Sequence, residues 1–291
     1  MQIWVYIALI SGFLGFYTLF LDINIFIKAI TIFTFFNCFI SVCPLISFKD
    51  YPLLVGCVYL YWLLTKLKNW KIVFNLILTL VIFNLFFVGV QIINQDSLLN
   101  WGLKNNAVFG TVRNPMQLKS LIIVALAFLI AYKKPKLIRS KWLLSLIMIG
   151  AIFYFFYHRV GYTFIHIRLE AWKEAIRIYL LHPFSGWGIS SFKFIFPALS
   201  HQAAFNKEGT WLQAHNDWLQ ILFETGLFGF ILVSGYMVNL INKIKGLPFL
   251  LIGLGLITLD MCVHFPLHMI STVLIIIAFL AYCEREVRSV R

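Results

Sequence analysis

The run Ala214-His215-Asn216-Asp217-Trp218-Leu219-Gln220, followed by Glu224-Thr225-Gly226 and Gly229, places His, Asn, Asp, Gln and Glu at the start of a strongly apolar helix. Ionisable groups at membrane depth are expensive and sit where a pathway or a reaction needs them. A second chemistry-bearing residue is Arg168. The pattern predicts a helix from Ile167 to Leu181, ended by His182-Pro183, on which Trp172, Ala175, Ile176 and Tyr179 form one apolar stripe. Glu170, Lys173, Glu174 and Arg177 line the opposite face. At about 100° per residue Arg168 projects from the middle of the apolar stripe, one turn before Trp172. Two readings stand beside each other. Arg168 snorkels to lipid headgroups, or it points inward to a buried anion, for which its bidentate fork suits phosphate. The following Pro183-Phe184-Ser185-Gly186-Trp187-Gly188 is a tight turn, and an apolar stretch runs from Phe192 to Leu199. Gly186 and Gly188 alone fit a re-entrant connector as well as a phosphate-approaching turn.

The elements that must position these residues are greasy helices. The chain has 291 residues, 61% of them hydrophobic, and a mean hydropathy of +0.88, far outside soluble values. Apolar runs near 3–20, 26–46, 52–65, 72–93, 117–132, 142–157, 216–241, 247–263 and 266–283 approach the roughly 20 residues a spanning helix needs. The expected fold is therefore an all-α polytopic integral membrane protein of about nine transmembrane helices. It reads as a single membrane domain over 1–291, with one large external loop, 158–215, carrying an interfacial amphipathic helix. Met1-Gln2-Ile3 lacks a basic n-region, so no cleavable signal peptide is expected.

The net charge of +13 is placed by topology. Basic residues gather at Lys66, Lys68 and Lys71, at Lys133 to Lys141, at Lys243 and Lys245, and at Arg285, Arg288 and Arg291. The positive-inside rule makes these segments cytoplasmic. Segments 94–116 and 158–215 and the turn at His264 then lie outside, with every histidine and with Arg113, Arg159, Arg168 and Arg177. Nucleic-acid binding is not needed to explain the charge. The five cysteines fall in predicted spans without a CxxC pair, so neither a disulfide framework nor a zinc knuckle is expected.

Three separated segments carry a family resemblance. Arg168-Leu169-Glu170-Ala171-Trp172-Lys173-Glu174-Ala175 with Pro183 to Gly188 and Phe192 is similar to the R-xxx-W-xx-A … P-[LF]-x-G-x-G-xxx-F pattern of the O-antigen ligase-like family. His215-Asn216 with Leu219, Glu224, Gly226 and Gly229 resembles its HN-xx-L-xxxx-E-x-G-xx-G block. Gly110-Thr111-Val112-Arg113-Asn114-Pro115 resembles its G-T-x-x-N-P turn, and Asp260 with His264-Phe265-Pro266-Leu267-His268 a looser D-F-P-L-H segment. The likeness runs over about residues 105–270. The chain departs from the pattern at His264, where Asp is common, and the Ser-Arg pair that many members carry before the long loop is not evident.

The resemblance implies a glycosyltransferase that takes a glycan from an undecaprenyl-diphosphate donor on the periplasmic face of the bacterial inner membrane, with lipid A-core as acceptor. O-antigen polymerases and protein O-oligosaccharyltransferases are rivals that differ only in acceptor. A transporter or a non-catalytic lipid-binding protein is the alternative of another class. Besides donor and acceptor, membrane lipids are the expected partners, and no metal or other cofactor is expected. The departing diphosphate needs fixed cations, and Arg168 and Arg113 are the candidates. Arg113 also precedes a helix start at Asn114-Pro115, where backbone N–H groups favour anions. His215 is the candidate base for the acceptor hydroxyl.

Asn216, Trp172, Glu224, Gly186 and Gly188 are expected in support. Glu224 lies opposite His215 and shares a face with Asp217 and Gln220, which suggests hydrogen bonds between spans. Gly226 and Gly229 would allow close helix approach. His264 and His268 stand at i, i+4, but no third ligand accompanies them, and Pro266 breaks the helix a metal pair would need.

Overall fold

The computed structural model describes residues 10, 12–41, 44–93, 115–133, 162–201 and 211–290. The predicted span 142–157, Arg113 and the His158-Arg159 pair lie outside the described residues.

Among the described residues every regular element is a helix. The longer elements are α1 (Ile25–Ile40), α2 (Pro44–Lys66), α3 (Trp70–Ile93), α4 (Pro115–Lys133), α5 (Tyr162–Tyr179), α6 (Phe192–Leu199), α7 (Asp217–Ile244), α8 (Pro248–Val263) and α9 (Ile270–Val290). Their starts are written in the sequence. Asn24 caps α1 by accepting the Phe26 N–H, Asn216 caps α7 by accepting the Leu219 N–H, and Pro248 opens α8. The predicted span 266–283 begins later, at Ile270, because Pro266–His268 forms a 3-10 turn.

Helix α4 packs against α3, α8 and α9, while α1 packs between α2 and α7, and α5 lies along α7. The main core is built by Trp70, Phe128, Leu240, Ile244, Leu250, Ile257 and Phe279. Its outside is equally apolar. Leu76 (66% exposed), Phe86 (64%) and Ile270 (68%) face outward on α3 and α9, a surface that water does not tolerate and hydrocarbon does. Over Trp70–Phe87 and Asp217–Ile244 two described helices are long and apolar enough to cross a membrane, and Ile25–Ile40 and Pro248–Val263 are shorter apolar helices.

The two ends of the bundle differ as the charge pattern requires. At one end Asp22 pairs with Lys66 (2.9 Å) and Arg288 (3.0 Å), and Lys243 with Glu284 (3.3 Å). The hydrogen bonds and charges of Lys66 and Arg288 hold the Asp22 carboxyl below its usual range. At the other end of α1 and the start of α2, Asn37, Ser41 and Ser47 donate to the carbonyls of Ser185, Trp187 and Ile189. The segment 185–189 is thus bound into the helical body instead of only resting on a lipid surface.

Helix α5 begins at Tyr162, earlier than predicted, and its buried stripe is rotated. Arg168, Ala171, Ala175 and Ile178 are buried, Trp172 and Tyr179 are half-buried, and Ile176 is 46% exposed. Against lipid, an apolar residue is as comfortable outside as inside, so the apolar stripe marks the buried face less sharply than in water.

Candidate functional site

The site rests on a broken helix. Helix α7 leaves helical geometry at Gly226 (φ 65°, ψ −171°), about two and a half turns in. A break frees backbone groups, and at membrane depth each must find a partner within the protein. Here the loop 183–188 supplies them. Trp187 N–H donates to Phe223 O (3.1 Å) and Gly188 N–H to Glu224 O (2.8 Å), while Leu227 and Phe228 N–H donate to Pro183 O (2.8 Å) and Phe184 O (3.2 Å). Gly186 (φ 68°) and Gly226 meet backbone to backbone, so a Cβ on either would strike main chain. A Cβ at Gly188 would strike the Ser41 and Ser47 side chains.

The amides of Trp187 and Gly188 serve the break in α7 and that of Gly186 donates to the His182 carbonyl (3.0 Å), as a connector would. One expectation for the glycines is corrected. Gly226 makes a close approach to a loop, whereas Gly229 does approach a helix, with its added Cβ 2.9 Å from Phe33 of α1.

Glu224 is the pin of this splice. Its Oε2 accepts the N–H of Ser190 (2.8 Å) and its Oε1 the N–H of Phe192 (3.4 Å) and the Gln220 amide (2.9 Å). Ser190 is held at φ 60°, a conformation few non-glycine residues adopt. The shared face of Asp217, Gln220 and Glu224 therefore exists and is buried. Asp217 accepts from Leu267 N–H (2.9 Å) and pairs with His268 Nδ1 (2.9 Å).

His215 sits just above this network. It too is left-handed, at φ 52°, and its ring is bracketed edge-on by Trp211 (5.2 Å) and Phe265 (4.9 Å). Both flanking residues are fixed. The Ala214 carbonyl accepts the Trp172 indole N–H (2.8 Å) and the Ala214 N–H donates to Gln220 Oε1 (3.0 Å), while Asn216 is committed to capping α7. A non-glycine residue held in this region by its surroundings marks a place where geometry has been over-determined.

Arg168 is buried, and its Nη1 donates to the Val263 carbonyl (2.9 Å) at the C-terminus of α8, an electrostatically favourable position for a cation. It therefore points into the protein, and the snorkelling reading fails. The other charges of α5 stay outside. Burial alone would raise the Glu174 carboxyl, but hydrogen bonds to Arg177 and His201 outweigh it and hold it below its usual range. The α8–α9 turn is thus where Arg168 (through Val263) and His215 (through Phe265) converge. Beneath that turn His264 pairs with Asp260, and Asp260 with Ser120 of α4. His264 and His268 each engage a different carboxylate and do not form a metal pair.

Residues 108–234 match the family described as O-antigen ligase. Over this segment the chain is similar to the O-antigen ligase family. The match holds Arg168, Trp172, Gly186, Gly188, His215, Asn216 and Glu224, together with Arg113. It ends ahead of Asp260 and His264–His268, so the looser likeness there lies beyond it, although the fold brings those residues against His215 and Asp217. No curated protein and no solved structure matches the chain. The match supports an O-antigen ligase- or polymerase-like membrane enzyme. Sequence reasoning gave no role to Gln220 and Ser120 beyond their position. An amide in an apolar helix was the available signal for Gln220; Ser120 carried none.

Proposed function

We propose that the protein transfers a glycan from an undecaprenyl-diphosphate donor to lipid A-core at the periplasmic face of the inner membrane, within a bundle of about nine spans. The observation that carries this reading is that Arg168 and His215, both within the segment of ligase-family sequence, reach the same Val263–Phe265 turn. The acceptor hydroxyl attacks the anomeric carbon of the donor sugar, and His215 takes its proton. The new carbon–oxygen bond replaces the bond to the phosphate oxygen, and polyprenyl diphosphate leaves with the bonding pair. Arg168, and Arg113 from the family-matched segment, stabilise that developing charge. No step calls for a metal.

Polymerisation and protein glycosylation use the same donor half-reaction and differ in the acceptor. The break in α7 does not favour a carrier: loop 183–188 fills it with backbone hydrogen bonds. The test is transfer in proteoliposomes with labelled donor, lipid A-core and EDTA. Label on lipid A-core in the wild type and none in His215→Ala supports the ligase. Label lengthening on the carrier reassigns the acceptor, and an unlabelled product in every case overturns the reading.

A further inference from the structure

We propose that Gln220 is a positioning residue that sets the conformation of His215 and releases it when His268 takes up a second proton. This rests on the glycosyl transfer proposed above and adds a regulator to that site.

Gln220 is 2% exposed, and its two amide atoms face opposite demands. Its Oε1 accepts the Ala214 N–H at 3.0 Å, the peptide that leads into left-handed His215. Its Nε2 lies 2.9 Å from Glu224 Oε1, 3.0 Å from Gln213 Oε1 and 2.8 Å from His268 Nε2. An amide nitrogen only donates. Its two hydrogens serve two of these three neighbours at a time, and when one goes to His268 Nε2 the ring proton is on Nδ1, donated to Asp217 Oδ1 at 2.9 Å. In this arrangement His268 is neutral.

A second proton on His268 would set an N–H against the amide nitrogen. Turning the Gln220 amide gives that N–H an acceptor, although it sets Oε1 beside the Glu224 and Gln213 oxygens, and it turns an NH2 toward the Ala214 N–H and takes the acceptor away. The two states of His268 therefore favour opposite orientations of Gln220, and only one of them holds the peptide before His215. The charged groups around His268 are Asp217 and Glu224 of α7 and Lys193 of α6. Burial and Lys193 oppose protonation, while the hydrogen bond and charge of Asp217 and the charge of Glu224 outweigh them and hold the imidazole above its ordinary range.

The full chain in nanodiscs is assayed for transfer across pH, together with hydrogen exchange of the peptide spanning 211–218. In Gln220→Leu, kcat should fall roughly tenfold or more, because a displaced base loses its line of attack, with the donor KM within about twofold. Exchange at Ala214 should quicken. Gln220→Glu keeps an acceptor for Ala214 and now welcomes a proton on His268, so its kcat optimum should move to lower pH than the wild type's. A role in packing alone would lower the yield of both variants and leave the pH optimum in place. Unaltered exchange at Ala214 in Gln220→Leu, or an unshifted optimum in Gln220→Glu, overturns the proposal; should one variant fail to fold, the other decides. A wild type that transfers nothing would sink the glycosyl-transfer reading instead, and the exchange comparison would still decide whether Gln220 holds Ala214.

Discussion

Trp172 donates its indole N–H to the carbonyl of Ala214 at 2.8 Å and so ties the helix that carries Arg168 to the residue before His215. Arg168 lies one turn before Trp172 on α5, and Ala214 lies in the segment that leads into α7. One hydrogen bond thus sets the spacing between the proposed cation and the proposed base. Trp172→Phe keeps the ring and removes the donor. A net loss of about 1 kcal/mol is expected, seen as a several-fold lower kcat/KM with little change in expression. A variant as active as the wild type would show that the spacing is held by other contacts.

Arg168 tests the leaving-group half of the mechanism. Lysine keeps the charge but loses the planar fork, and the Val263 carbonyl at the end of α8 loses the donor it has now. Arg168→Lys should lower kcat by roughly a hundredfold, the scale of removing one fixed donor from developing charge. His215→Ala should abolish transfer while leaving the protein inserted. Near-normal turnover in Arg168→Lys would reduce Arg168 to a cap on α8.

How far the sequence carried this picture depended on the solvent of each element. The helices followed from long apolar runs, and the angle of Arg168 on α5 raised an inward turn beside the snorkelling reading, between which burial of Arg168 decides. The exposure of Ile176 did not follow, since a bilayer accepts apolar side chains on the outside. The break at Gly226 was hidden because the apolar pattern continues across it; only a loop arriving from elsewhere in the chain makes it stable. The i, i+4 histidines invited a local reading, but their partners, Asp260 and Asp217, are assigned by how α7, α8 and the turn pack. The joint face of Asp217, Gln220 and Glu224 was legible because helical periodicity alone defines it.

Asn216 separates capping from chemistry. Its side chain accepts the Leu219 N–H at 3.0 Å, and replacement of such a cap by alanine costs about 1 kcal/mol. Asn216→Ala should lower the melting temperature modestly and leave transfer per folded molecule well above that of His215→Ala. Complete loss of transfer in a fully folded Asn216→Ala would mean that Asn216 itself meets substrate.

Glu224 distinguishes a structural acid from a reacting one. It collects the N–H groups of Ser190 and Phe192 and the Gln220 amide in a buried place. In Glu224→Gln the new NH2 must face at least one of these donors, which leaves a buried donor unsatisfied at about 1–3 kcal/mol. Thermal stability should fall by that scale, while transfer per folded molecule stays above that of His215→Ala. Loss of transfer at undiminished stability would instead give Glu224 a part in the reaction.

Gly226 is a demanding position in the fold. Its φ of 65° is one that alanine adopts only under strain, and a Cβ there would press on the Phe184 carbonyl and the Gly186 amide. Relief requires either straightening α7 or expelling loop 183–188. Straightening would return the Phe223 and Glu224 carbonyls to the helix and strand the amides of Trp187 and Gly188. Gly226→Ala should therefore lose more than about 1 kcal/mol, beyond the usual glycine-to-alanine gain at compatible sites, and its loop should become open to protease near Ser185. Gly229→Ala, whose added Cβ meets side chains of Thr225 and Phe33, should be the milder change. If Gly226→Ala resisted protease as the wild type does, the loop would be held by its contacts to Asn37, Ser41 and Ser47, and the break in α7 would be a consequence of the loop instead of its anchor.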